Sequence, residues 1–209
     1  MPEPRPHFRT RPVSWGQLFS TTGQKRYFPS YKTRLSIEEK GHKREYSKSA
    51  TTTGRYIKHC NFLRKHGESI NVFADIGCAI SAGAPTTIEA REALGKNARV
   101  LAVDVFNSSA EIEEILGREG IEIRKHDIVR EPLPFQCDAI GFRNVAQWMD
   151  HSDRRRALFN VWKSLKVGGF LLGALEGRDF HVGVPKGSAE GNEFALRKTA
   201  RGWEEIILD

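Results

Sequence analysis

The chain has 209 residues, 39% hydrophobic and 28% charged, with a formal net charge of +7, which is enough apolar material for one well-filled core. No apolar run approaches the roughly eighteen residues that cross a bilayer, and the N-terminus lacks a signal-peptide core, so no membrane partner is expected. Three cysteines (Cys60, Cys78, Cys137) without a C-x-x-C pair, and seven histidines without Cys/His ligand spacing, argue for a reducing, cytoplasmic setting and against a metal centre.

Charge divides the chain unevenly. Residues 1–70 carry 15 Lys/Arg against 5 Asp/Glu, whereas the remainder carries 18 against 21. Pro2, Pro4, Pro6, Pro12 and Pro29 fall among Phe8, Trp15, Phe19, Tyr27, Phe28 and Tyr31, a pattern that argues against regular structure. The division expected is an irregular basic arm over residues 1–50 and a folded domain over 51–209. Cations between aromatics suit nucleic acid, since they pair with phosphates and stack on bases. A solvated tail, an acidic protein or an anionic small molecule suits the same charge. From about Thr53 to His66, the spacing of Tyr56, Ile57, Cys60 and Leu63 predicts a helix stopped by Gly67, with His59 and His66 solvated on it.

Residues 72–104 predict a strand ending in Asp75, a loop of small residues, a helix, and a second strand ending in Asp104. Gly77 and Gly83 bracket the loop, with Cys78 and Ala79 between them, so a ligand can approach backbone N–H groups at the following helix N-terminus. Asp104 stands 21 residues beyond Gly83, the spacing at which an acid grips both hydroxyls of a ribose. The loop departs from G-x-G-x-x-G, because the middle glycine that a pyrophosphate needs is Ala79. Asp75, two residues before the first glycine, repels a phosphate and attracts an ammonium.

Beyond Asp104, Ser108 and Glu111 read as a capping box for a helix with Ile112, Ile115 and Leu116 on one stripe, ended by Gly117 or Gly120. IEIRKHDIV (121–129) is a third strand with Asp127 at its tip, and CDAIGFRNV (137–145) a fourth leading into Arg143 and Asn144. A helix from Ser152 to Lys166 buries Ala157, Leu158, Val161, Trp162 and Leu165, and Gly168 and Gly169 stop it before the buried strand FLLGALE. Residues 177–192 read as a glycine-rich acceptor-side loop flanked by Glu176 and Arg178. EFALRKTARGWEEIILD reads as a final hairpin turning at Ala200 to Gly202. The architecture expected is a doubly wound α/β domain: a mostly parallel, seven-stranded sheet covered on both faces, with a C-terminal antiparallel hairpin.

The pattern D75-I-G77-C-A79…G83 resembles the first motif of the class I methyltransferases, and residues 133–177 resemble their fourth and fifth motifs. Within that superfamily, PFQCDAIGFRNV followed by GGFLLGALE is similar to the chemotaxis-receptor glutamate methyltransferases. The resemblance implies S-adenosylmethionine as cofactor, a donor with an ammonium and a sulfonium and no phosphate. It implies a binding set of Asp75, Gly77, Cys78, Ala79, Gly83, Asp104, Val105, Asp127, Ile128, Arg143 and Asn144, with Asp127 or Ile128 beside the adenine. A small-molecule or protein carboxylate or amine is the acceptor implied. The sequence singles out no catalytic residue and no oligomeric state. The alternative is a catalytically silent module of the same fold that binds nucleic acid or a protein through its arm. An NAD(P)-dependent oxidoreductase is disfavoured by Asp75, Ala79 and the lack of a Tyr-x-x-x-Lys pair.

Overall fold

A computed structural model of the chain describes residues 9–16, 55–143, 145, 149–175 and 192–206. Its elements, in chain order, are β1 (Thr10–Val13), α1 (Arg55–Lys65), β2 (Val72–Ile76), α2 (Pro85–Leu94), β3 (Arg99–Asp104), α3 (Ala110–Arg118) and β4 (Ile121–Lys125). There follow β5 (Cys137–Arg143), α4 (His151–Ser164), β6 (Leu165–Leu175), β7 (Asn192–Lys198) and β8 (Trp203–Ile206). The strands form one eight-stranded sheet in the order β1-β8-β7-β6-β5-β2-β3-β4.

The five strands from β4 to β6 are parallel. They are nearly continuous apolar runs because both faces are covered. Alternation sorts their side chains. Phe73, Val100, Ala102 and Ala139 face a core completed by Tyr56, Cys60 and Leu63 of α1, Ala90 of α2 and Leu116 of α3. Ala74, Leu101, Val103, Ile140 and Phe142 face Ala157, Leu158 and Val161 of α4. Helices do not alternate with strands throughout, since β4 reaches β5 without one. There the connection carries Pro132 and Pro134, and its Ile128, Val129 and Leu133 fill the core instead.

Several local expectations are corrected. The sheet has eight strands rather than seven, because Thr10–Val13 of the basic arm pairs antiparallel with β8 despite Pro12. Proline is tolerated there because β1 is an edge strand. Helix α3 is capped by Ser109, whose side chain accepts from Ile112 N, while the Ser108 hydroxyl goes to Glu113. Asp150 caps α4 by accepting from Asp153 N at 2.8 Å, and that bond holds its carboxyl below the usual range. Strand β6 starts at Leu165, before the glycine pair, so Gly168 (φ 86°) bends a strand instead of ending a helix. His59 is buried at 2% exposure, not solvated, and the His66 ring lies 4.3 Å from the Phe62 ring.

The hairpin expected at the C-terminus is present, with Thr199 N donating to Gly202 O. It closes the sheet through aromatic contacts. Trp15 meets Trp203, Trp162 and Phe159 at ring distances of 5.9, 6.1 and 6.3 Å. Lys198 ties the hairpin to α4 by donating to the carbonyls of Trp162 and Leu165, and burial lowers its pKa. Among the described residues no helix is long and apolar enough to cross a membrane.

Candidate functional site

Strand order reverses between β2 and β5, since β2 continues to β3 on one side while β5 pairs on the other. In open parallel sheets, ligands bind outside the carboxyl ends of the strands at such a switch point. The loop from Gly77 to Ala84 leaves β2 there. It has an unusual backbone: Gly77 (φ 67°), Ala79 (φ 56°), Gly83 (φ 83°) and Ala84 (φ 49°) are all left-handed, around a single 3-10 turn at Ile80–Ala82. Each alanine costs about 1–2 kcal/mol in that conformation, so the surroundings must impose it. A side chain at Gly77 is excluded twice, by its φ and by Val145, whose Cγ2 would lie 2.6 Å from a Cβ.

Two carboxylates impose the loop's shape. Asp75, 1% exposed, closes the loop's ends: its Oδ2 accepts from the hydroxyls of Thr86 at 2.7 Å and Thr87 at 2.8 Å, in the first turn of α2. Its Oδ1 accepts from the Tyr56 hydroxyl of α1 at 3.0 Å. Tyr56 reaches it only because residue 141 is glycine, where a Cβ would stand 2.5 Å from the hydroxyl oxygen. Burial raises the pKa of Asp75, against the three hydroxyl donors and the nearby charge of Arg143, which lower it. Burial and then the Asp75 charge push the Tyr56 hydroxyl well above its ordinary value, so it stays a donor.

Asp104 holds the loop's middle. Its Oδ2 accepts from Ile80 N at 3.2 Å, with the Cys78 sulfur at 4.0 Å, and its Oδ1 accepts from Val105 N at 2.8 Å. The amides of Gly77 and Cys78 donate to Val103 O, and those of Gly83 and Ala84 donate to Ile80 O and Ala79 O. Three of these amides therefore tie the loop to β3 and Asp104, and two brace the loop itself. Cys78 is a buried thiol whose pKa is raised by burial and then by the charges of Asp75 and Asp104, which favours the thiol over the thiolate.

The other expected site residues divide. His126 N donates to Asp104 O, which sets the β4 tip and Asp127 beside Asp104. Asp127 accepts from Val129 N and pairs with Arg130. The Ile128 side chain is core, and its carbonyl accepts from Asn160 Nδ2. Arg143 is buried at the tip of β5, on the Asp75 side of the sheet. Asn144, Glu176, Arg178 and the loop through residue 191 lie outside the described residues, as does most of the basic arm. Two residues past Asp104, a groove of about 440 Å³ opens between Phe106, Ile121 and Ile123, with Asn107, Ser108 and Lys125 at its rim.

Sequence reasoning missed Tyr56, Thr86, Thr87 and Gly141 as parts of this site. Tyr56 registered only as an apolar position on a helix. Its partner lies 19 residues away, and a hydroxyl aimed at a strand end has no periodic signature.

No protein-family model and no curated protein matches the sequence. Among solved structures, the S-adenosylmethionine-dependent methyltransferase SibL in its apo form is similar at 16% identity and a TM-score of 0.50, over 66% of this chain and 39% of its own. What is shared is the fold. The N-methyltransferase NodS from Bradyrhizobium japonicum WM9, in complex with S-adenosyl-l-homocysteine, is 20% identical with a TM-score of 0.46, over 68% of this chain and 72% of its own. Coclaurine N-methyltransferase, bound to N-methylheliamine and S-adenosyl-l-homocysteine, is 21% identical with a TM-score of 0.45, over 57% and 36%. Against SibL the chain spans about two fifths of the longer protein's length. Among the described residues no group of three or more His, Cys, Asp or Glu is placed to hold a metal ion.

Proposed function

We propose that the protein is an S-adenosylmethionine-dependent methyltransferase acting on a small-molecule or protein acceptor. The observation that carries this reading is the juxtaposition, beside the sheet's switch point, of the left-handed loop 77–84 with the Asp104 carboxylate that accepts from Ile80 N. The chemistry of those residues fits the cofactor. Asp104 presents a carboxylate for two ribose hydroxyls, with Val105 next to it. Phe106, two residues past Asp104, offers an aromatic surface beside the β3 tip. Five of the loop's eight amides, those of Gly77, Cys78, Ile80, Gly83 and Ala84, are directed to protein acceptors, which leaves few for a phosphate. A cationic donor without phosphate suits that arrangement better than a dinucleotide does.

When bound, the cofactor supplies a methyl group already made electrophilic by sulfonium. The protein's residues then have to orient and to exclude water, and few need to be catalytic. Loop residues Gly77, Cys78, Ala79 and Gly83 shape the near wall. Asp127 and Ile128 bound the far end of the site, and Arg143 stands where β5 ends. Asp75 is buried under three hydroxyl donors and holds the loop rather than the ligand's ammonium. An acceptor carboxylate needs no base, in keeping with the local resemblance of residues 133–177 to receptor glutamate methyltransferases, whereas an amine must lose a proton.

Titration of the protein with S-adenosyl-l-homocysteine in a calorimeter tests the reading. We expect a Kd in the micromolar range, weakened about a hundredfold or more by Asp104→Ala, which removes the ribose acceptor together with the brace on Ile80 N, at a cost of about 3 kcal/mol or more. No heat from the unmodified protein at millimolar ligand would end the methyltransferase reading.

A further inference from the structure

We propose that Tyr56 is a positioning residue for the cofactor loop, acting through Asp75. The inference rests on the cofactor reading above and adds a part of the site drawn from outside the strand-and-loop unit. Asp75 sits at one end of the loop and Thr86 and Thr87 at the other, so a single carboxylate clasps both ends. Two of its three donors come from α2, and both converge on Oδ2. With these alone the carboxylate can swing about its Cβ–Cγ bond, and the first turn of α2 swings with it. The third donor is the Tyr56 hydroxyl on Oδ1, and it fixes the carboxylate plane. The Tyr56 ring is itself held, 1% exposed and edge-on to Phe73 at 5.5 Å.

Three features show that the hydroxyl's place is built. Residue 141, in the middle of the sheet, is a glycine, although a buried strand position favours a branched side chain. A Cβ there would meet the hydroxyl at 2.5 Å, the Tyr56 Cζ at 2.7 Å and Asp75 Oδ1 at 3.0 Å. The loop that the clasp holds carries two alanines in the left-handed region, a shape that persists only where its surroundings over-determine it. Finally, a phenol bonded to a carboxylate in an apolar setting is a costly feature for a core that a phenylalanine would fill equally well. Helix α1 lies outside the β2-to-β3 unit that forms the pocket. Through Tyr56, the seating of this helix sets where the loop's small residues stand relative to Asp104.

Tyr56→Phe deletes one oxygen and keeps the ring. The readout is the Kd for S-adenosyl-l-homocysteine by calorimetry at a temperature where circular dichroism shows the variant fully folded. About tenfold weaker binding is expected, the value of one hydrogen bond to a charged group. Thr86→Val, which removes a donor from the same carboxylate, should weaken binding similarly. The double variant should lose less than the product of the two single losses, because both act through Asp75. A hydroxyl that only stabilised the core would lower the unfolding midpoint and leave the Kd unchanged. Binding by Tyr56→Phe within twofold of the unmodified protein, or losses that multiply in the double variant, would overturn the proposal while leaving the cofactor reading intact. If Tyr56→Phe does not fold, Thr86→Val decides alone, and an unchanged Kd there overturns the clasp. If the unmodified protein does not bind the ligand, the cofactor reading fails and the proposal falls with it.

Discussion

From β4 to β5 the strands run parallel, and their carboxyl ends bring Asp104, Asp75 and Arg143 to one edge from positions as far apart as residues 75 and 143. From β6 to β1 the strands reverse direction one after another, and the residues that define this half are Trp15, Trp162, Phe194 and Trp203, packed on its α4 side. Parallel strands necessarily gather their tips, which is why a site can be assembled from short sequence-distant pieces. A hairpin puts successive tips at opposite edges, so it contributes area and closure instead. The prediction is that damage to the first half registers in ligand binding and stability together, and damage to the second in stability alone.

The largest effect is expected from Asp75→Ala. It leaves the hydroxyls of Tyr56, Thr86 and Thr87 buried without their shared acceptor, at a cost of about 3 kcal/mol in urea unfolding, and binding of S-adenosyl-l-homocysteine should fall below detection. The dependence on pH has a definite sign. Burial raises the folded-state pKa of Asp75 above its unfolded value near 3.8. Its contribution to stability is therefore full below that value and declines as pH rises through the folded-state pKa. The loss caused by Asp75→Ala should be greatest at low pH and narrow as pH rises. A difference that widened over that range would contradict the burial argument.

Gly173→Ala probes the other half. Gly173 faces Phe194 across the β6–β7 pair, and a Cβ there would lie 2.2 Å from the ring's Cζ and 2.8 Å from Phe142 O. Neither a pinned aromatic nor a backbone carbonyl yields easily, so about 2–3 kcal/mol of stability should be lost. The Kd for S-adenosyl-l-homocysteine should stay within twofold of the unmodified protein at a temperature where both are folded. A tenfold loss of affinity would show that the two halves are not mechanically separate.

The halves also differ in how far the sequence revealed them. The parallel half was legible because continuous apolar runs, helical stripes and glycine stops each have a period or a composition. The strands at 72–76 and 99–104, the helices at 55–65 and 151–164 and the β7–β8 hairpin all stand within a few residues of expectation. Asp104 is visible by spacing and Gly77 by residue type. What was hidden depends on contacts without a period. Strand β1 forms because Val13 and Trp15 find Trp203 and Trp162, residues nearly 150 positions or more away, and this outweighs the local signal of Pro12. The hydroxyl partners of Asp75 were hidden for a related reason. An acid before a glycine loop suggests an ammonium ligand, and only the fold places three hydroxyls on it. Gly141 likewise appears in sequence as a weak strand residue, although it is the opening through which Tyr56 reaches the site.

The smallest predicted effect has the opposite sign and separates two alanines with the same backbone conformation. Ala79 is partly exposed, so replacing it with glycine relieves about 1–2 kcal/mol of left-handed strain against about 0.5–1 kcal/mol of added unfolded-state freedom. A net gain of about 0.5–1 kcal/mol in urea unfolding is expected. Ala84 is fully buried in the core beneath α1 and α2, and its methyl contributes about 0.8 kcal/mol there, so Ala84→Gly should be nearly neutral. The ligand's Kd should not change in Ala79→Gly if the carboxylates of Asp75 and Asp104 hold the loop from its ends and its middle. Weaker binding in this more stable variant would mean that the loop's shape depends on the stiffness of residue 79 rather than on the two acids.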